Sequence, residues 1–326
     1  MSKLIRFPAR LNYWPTDVLS LADAMLASDA DTVVCDGSAL KWAMPIGLCG
    51  LAATCQKLHD RGQPVQFDGL PGNMANYFER MDVFDHCHVA HHNSIQRLNR
   101  SASLLELRCL TTPEEINGIA NPLVTAITGQ MMSGRDDAED PERMRARPSD
   151  RLAQTLHYII SELLENALTH AQAHGFRGAQ VWVAANFFPA TGAVRIGVVD
   201  TGCGFLKSLE RHERVRAKPT DGQAIATALE PYVSCNKAVG IMDDSSNQGI
   251  GLTVSAAIAE ASGGWLEVNS GSASVKASPR RVASGTKSWQ GAALDVCLSR
   301  DRLLGLDLPR IIRPFQRLPR PRLRFE

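Results

Sequence analysis

The sequence predicts an α/β protein of two domains, and three observations carry that expectation. The chain has 326 residues, room for roughly two domains at about 150 residues each. Up to Leu98, short apolar strands alternate with helical stretches. From Ser103 a different texture begins, in which a long amphipathic helix is followed by a pair of strands joined by a tight turn. With 44% hydrophobic and 21% charged residues, the chain can bury a sizeable core, which excludes general disorder.

In the first domain, residues 1–98, Thr32 to Asp36 reads as a strand, and Pro45 to Arg61 as a helix stopped by Gly62, the residue that helix ends favour. Val65 to Phe67 reads as the next strand. Met74, Tyr77, Phe78 and Met81 have helical spacing within Gly72 to Met81. Such alternation points to a mostly parallel sheet.

The second domain spans 103–298. Leu104 to Leu110 alternates as a strand does, and Thr111-Thr112-Pro113-Glu114 opens a helix continued by Ile116, Ile119, Leu123 and Ile127. Residues 132–148 are charged and read as a solvated loop. Beyond them, apolar positions 152, 156, 159, 160, 163, 164, 167 and 168 form one broad helical stripe. Strands are expected over Gln180 to Phe188, Val194 to Asp200, Trp265 to Asn269 and Ala292 to Leu298, with a helix at Leu252 to Ala261. Phe205 to Gln248 reads as a long irregular segment. The Arg- and Pro-rich tail, 299–326, is locally basic and expected to form no regular element.

Bulk composition excludes several functions. Lys plus Arg total 35 against 34 acidic residues, net charge +1, so no global field draws the chain to nucleic acid or an anionic membrane. The tail alone offers a local route to nucleic acid, or wraps its own domain or a partner subunit. The apolar run Ile46 to Ala53 falls far short of the roughly 20 residues that span a bilayer. The N-terminus lacks an apolar signal region, so a cytoplasmic location without a membrane role is expected. Eight scattered cysteines without a CxxC pair fit reduced thiols.

Four features carry chemistry. Glu162 and Asn166 stand one turn apart, about 40° from each other at the edge of the apolar stripe, whereas Glu165 points away. A carboxamide beside a carboxylate can hold a hard cation and orient a water. Asp200-Thr201-Gly202-Cys203-Gly204 places a carboxylate at a strand end before bare backbone, which suits an exocyclic amine on a flat base. Gly249-Ile250-Gly251-Leu252 opens a helix with free amides, an anion site suited to phosphates. Ser284-Gly285-Thr286 precedes the last strand. Each alone also has a plain structural reading as a solvated helix face or an ordinary turn. His170, one turn beyond Asn166, reads as a packed core histidine or as a support for the site.

In this order and on these elements, ExxxN, DxGxG, GxGL and the late GT resemble the N, G1, G2 and G3 boxes of the GHKL ATPase superfamily, which includes gyrase and histidine kinases. The resemblance spans residues 103–298. It implies a Bergerat-fold α/β sandwich, a mixed sheet with helices on one face, that binds ATP with Mg2+. By this likeness Asn166 would be the magnesium ligand and Glu162 the general base. Asp200 would read adenine, with Gly202 and Gly204 beside it. Gly249, Gly251 and Leu252 would face the phosphates, and Thr286 would complete the adenine pocket. The segment 205–248 would be a mobile ATP lid, whose Arg211, Arg214, Arg216, Lys218 and Lys237 close over phosphates; the helical spacing of Ile225, Ala228 and Leu229 leaves a packed insertion as the alternative. Glu at 162 resembles the hydrolysing members and the anti-sigma serine kinases rather than most histidine kinases, and no phosphoacceptor helix pair precedes it.

The first domain resembles a STAS domain of the anti-sigma antagonist type. At the usual phosphoacceptor position, however, it reads Trp42-Ala43-Met44-Pro45-Ile46-Gly47, without a hydroxyl, and Ser38 sits too early. A docking or dimerising role is therefore expected. The combined resemblance implies a partner-switching regulator or anti-sigma-like serine kinase, with a protein partner held by the N-terminal domain. The alternatives are an ATP-gated homodimeric ATPase that drives an effector, in nucleic-acid metabolism or defence, and a nucleotide sensor without turnover. His86, His88, His91 and His92 have enough imidazole for zinc, but only His86 and His88 of a strand would converge. A polar strand end is the expectation.

Overall fold

In the computed structural model, residues 2–89, 104–128, 148–172, 176, 178–233 and 249–315 are described. The N-terminal unit is built on a three-stranded parallel sheet of β1 (Ser2–Arg6), β3 (Thr32–Asp36) and β5 (Val65–Asp68), in that order, with a short parallel pair, β2 (Arg10–Leu11) and β4 (Trp42–Ala43). Helices α1 (Leu19–Leu26), α2 (Pro45–Asp60), α3 (Gly72–Arg80) and α4 (Val83–His86) complete it. The parallel sheet was legible. The edge strand β1 was not, because only Ile5 of its five residues is buried and no alternation shows.

Helix α2 explains the apolar run Ile46 to Ala53. Every residue from Pro45 to Cys55 is buried, as in a helix covered on more than one side. One side shares a core with Met25, Val33 and Phe78 of its own unit. The other lies on a second sheet, where Cys49 Sγ donates to the Gly197 carbonyl at 3.3 Å.

That second sheet has five strands, β6 (Leu104–Leu110), β7 (Val181–Phe188), β8 (Ala193–Asp200), β9 (Trp265–Lys276) and β10 (Arg281–Ser299), in the order β6-β7-β8-β10-β9. Every pairing is antiparallel, not mixed as expected. The tight β7–β8 and β9–β10 turns impose this on their own pairs. On one face lie α5 (Ile116–Thr128), α6 (Pro148–Ala171) and α10 (Gly251–Ala261). All eight stripe positions of α6, from Leu152 to Leu168, are buried there with Val183, Ile196, Val198 and Leu294.

The expectation of helices on one face only is corrected by the other face. Leu107, Trp182, Ala184, Val199, Trp289 and Ala293 share one continuous core with the N-terminal unit. A Cβ at Gly197 would overlap the backbone of Pro45 and Ile46, so this glycine lets α2 touch the sheet. Asn186 Nδ2 donates to the Tyr77 hydroxyl at 2.9 Å. Further along, Arg195 holds Asp295 through two bonds of 3.0 and 2.9 Å; burial pushes that carboxyl up to about 6, with Arg195 opposing.

Three further expectations change. Residues 205–233 are not irregular: α7 (Gly204–Ser208), α8 (Glu213–Ala217) and α9 (Asp221–Ala228) form there. Thr220 caps α9, Ile225 and Leu229 enter the main core, and Arg214 is paired with Glu230. Over residues 205–233 the segment is therefore helical and packed on the core in this structure; residues 234–248, with Lys237, lie outside the described ones. The tail forms α11 (Arg300–Leu303) and α12 (Leu308–Ile312) as far as it is described. Leu303 is fully buried, and Ile311, Ile312 and Phe315 pack on the core; apolar residues between the arginines outweigh the prolines. His86 ends a helix rather than a strand. It bonds the Leu107 carbonyl at 2.9 Å, while His88 bonds Gln56 and stacks on His59 at 4.0 Å. His91 and His92, like the loop 132–147, lie outside the described residues. Among the described residues, no group of three or more His, Cys, Asp or Glu could hold a metal, and no helix is long and apolar enough to cross a membrane.

Candidate functional site

The second half of α6 and the first turn of α10 meet at a glycine. A Cβ at Gly251 would overlap Glu162 Oε2 and lie 3.1 Å from Asn166 Nδ2. Without it, the carboxylate and carboxamide stand directly against the start of an eleven-residue helix, where backbone N–H groups lack helical partners. Asn166 Nδ2 is buried without a hydrogen-bond partner. Such an orphan is costly in a mere packing role, and points to a group that is held there. Burial raises the pKa of Glu162, Glu165 adds to the rise, and a hydrogen bond from Tyr158 opposes it. Glu165 itself is exposed, as its angle predicts.

Asp200 forms the far wall. It ends β8, is 4% exposed, and accepts from the Gly202 N–H at 2.9 Å. Burial pushes its carboxyl up to about 7, opposed by the N–H groups of Gly202 and Ala292 and by the Lys57 charge. Gly202 is required because a Cβ there would overlap the Ala171 backbone at the end of α6. Gly204 and Gly249 adopt positive φ, 74° and 69°, which side-chain-bearing residues avoid.

Asn166, His170, Asp200, Gly204, Gly249, Gly251 and Leu252 therefore line one cavity, with Glu162 at its Gly251 edge. His170, its pKa lowered by burial, also lines it, with Nδ1 3.1 Å from Ser208 Oγ. The cavity measures about 50 Å³, far below the roughly 300 Å³ at which small-molecule pockets begin. Phe205, Leu209 and Val233 form its apolar wall, and the space as it stands is too small for a flat base.

Thr286 is not brought to this group. It is exposed on β10 and lines a separate cavity of about 370 Å³ with Thr16, Ser20 and Asn269. β10 begins well before the expected Ala292, and its register shifts between Ser284 and Trp289 and again before Ala292. The residues it gives the site are instead Ala292 and Leu294. Sequence reasoning also missed Trp289, whose Nε1 donates to the Asp200 carbonyl at 2.9 Å, and Lys57. A lone Trp before a strand and a Lys on a distant helix carry no spacing signal.

The donor set suits magnesium in one respect: it offers an amide and a carboxylate, hard ligands of the kind that leave the remaining positions to phosphates and water. No curated protein and no solved structure matches the chain. Residues 152–290 are similar to the family model of the histidine kinase-, DNA gyrase B- and HSP90-like ATPases, a stretch that holds Glu162, Asn166, Asp200 and both glycines of the α10 start.

Proposed function

We propose that the protein binds Mg2+-ATP in this cavity and hydrolyses or transfers the γ-phosphate, under the control of a protein partner recognised by the N-terminal unit. The observation that carries the reading is the junction at Gly251, where the unpartnered Nδ2 donor of Asn166 and a raised carboxylate stand against the first turn of α10, a donor-rich corner suited to an anion such as a phosphate. Asp200 accepts from the adenine amine beside Gly204, while Gly202 holds the carboxylate through its N–H and lets the end of α6 pack on the turn. The N–H groups of Gly249 to Leu252 bind the phosphates. Asn166 would hold the magnesium, which when bound draws off charge on the phosphate oxygens. Glu162 takes a proton from water, or from an acceptor hydroxyl, as the new O–P bond forms and the β–γ bridge breaks to release ADP. The STAS-like reading of the N-terminal unit, with Met44-Pro45-Ile46 in place of a phosphoacceptor serine, supports a docking role that needs no phosphorylation of that unit.

Incubation with γ-labelled ATP and magnesium, with and without proteins encoded beside it, tests the reading. Labelled partner establishes a kinase and free phosphate an ATPase. Binding with neither leaves a sensor, and no binding overturns the proposal.

A further inference from the structure

Behind Asp200, on the face of the sheet away from the cavity, an aromatic ring ties the site to the N-terminal unit. Trp289 is 2% exposed. Its indole N–H donates to the Asp200 carbonyl, and its ring is held from two sides by residues of the other unit. Lys57 Nζ, near the end of α2, lies 3.8 Å over the ring centroid and donates to the Gln290 carbonyl at 3.2 Å. The Trp14 ring meets Trp289 edge-on at 5.5 Å. The next residue but one, Gly291, packs so closely that a Cβ would overlap the Asp200 carbonyl, and Ala292 gives its N–H to the Asp200 carboxylate. The segment 289–292 thus grips Asp200 through both its backbone and its side chain, and α2 grips the segment.

From this geometry we infer that Trp289 and Lys57 are positioning residues for Asp200, so that the N-terminal unit forms the rear support of the base-reading group and is coupled to the presence of adenine. The inference rests on the ATP-binding reading above. The coupling follows from the contacts: a base bonded to the Asp200 carboxylate fixes the strand end, the strand end fixes the indole, and the indole fixes the Lys57 ammonium. The Lys57 charge also acts on Asp200 directly, since each shifts the other's protonation in favour of the charged form. Linkage makes this reciprocal, so whatever pulls on α2 changes affinity for the base.

The test compares ATP with inorganic tripolyphosphate, both with magnesium, on the full chain. Tripolyphosphate engages the phosphate end and carries no base. Trp289→Phe keeps a ring and loses the N–H; it should weaken ATP binding by about tenfold, the worth of one buried hydrogen bond, and leave tripolyphosphate binding as in the unaltered protein. Lys57→Met, which keeps the stem over the ring, should weaken ATP by about threefold, and Lys57→Arg should restore it. In the unaltered protein ATP, and not tripolyphosphate, should slow amide exchange in the last turns of α2. If the Phe variant fails to fold, the two Lys57 variants and the exchange measurement carry the test. Equal loss for both ligands, or ATP binding untouched by the substitutions, overturns the inference. An unaltered protein that binds tripolyphosphate and not ATP removes the base-reading site itself, a separate failure.

Discussion

On each side of the five-stranded sheet a close approach turns on a glycine, between two helices at Gly251 and between a helix and a strand at Gly197, and the two glycines do different work. At Gly251 the missing side chain leaves Glu162 and Asn166 against the first turn of α10, with a donor left over. At Gly197 the missing side chain lets the backbone of α2 lie on the strand, with Cys49 bonded to the carbonyl. One close approach conserves room for chemistry; the other fills all room with packing. A glycine in a strand or at a helix start therefore signals approach, and only the polarity of what approaches tells a site from a seam.

Substitutions can break this contrast, beginning with the seam. Gly197→Val should destabilise the protein by about 3 kcal/mol or more, because the overlap is with backbone that cannot rotate away, and chemical denaturation would measure it. A loss below about 1 kcal/mol would mean that α2 is not pressed on the sheet. On the opposite face Glu162→Gln should spare the fold and ATP binding while lowering turnover by about a hundredfold or more, read as phosphate release. Asp200→Asn should weaken ATP binding by about 1–3 kcal/mol, followed calorimetrically. The same change should stabilise the fold near pH 8 by on the order of 2 kcal/mol. A carboxyl raised from 3.8 to about 7 keeps a proton in the native state that the unfolded chain has released, so its contribution falls as pH climbs through that window.

A smaller effect follows from the same group. ATP affinity should rise by up to about tenfold between pH 6 and pH 8 as Asp200 ionises, and the Asn variant should show a flatter profile. Smallest of all is the response expected of α9. With Ile225 and Leu229 already in the core, its amide exchange should be the same with and without nucleotide, and strong added protection would restore the moving lid for this part of the segment.

The helix side of the sheet was largely legible in the sequence. The α6 stripe repeats with the helical period, so its inward face could be read residue by residue, and the edge position of Glu162 and Asn166 followed from the same count. Asp200 and Gly251 were legible because each sits where a strand or helix ends. The other side was not. Val181–Phe188 is buried at six successive positions, a pattern that signals cover on both faces, yet nothing in those letters names α2 as the cover. Thr286 was named by the likeness of its Gly-Thr pair, before an expected strand, to a family box; β10 already runs through it with two register shifts, and Ala292 and Leu294 line the cavity instead. Lys57 reaches Gln290 across 233 positions of chain, and no local period encodes a contact of that kind.

The shared core of α2, Trp182, Val199, Trp289 and Ala293 has a consequence for where the protein can be cut. Motifs place a border near residue 103, but a fragment beginning there would leave two tryptophans and the groove over Gly197 open to water, an apolar strip that invites aggregation. The half that carries the candidate site is therefore not a portable module. Its folding is completed by the N-terminal unit, and a lesion in the first hundred residues is felt as loss of the whole chain.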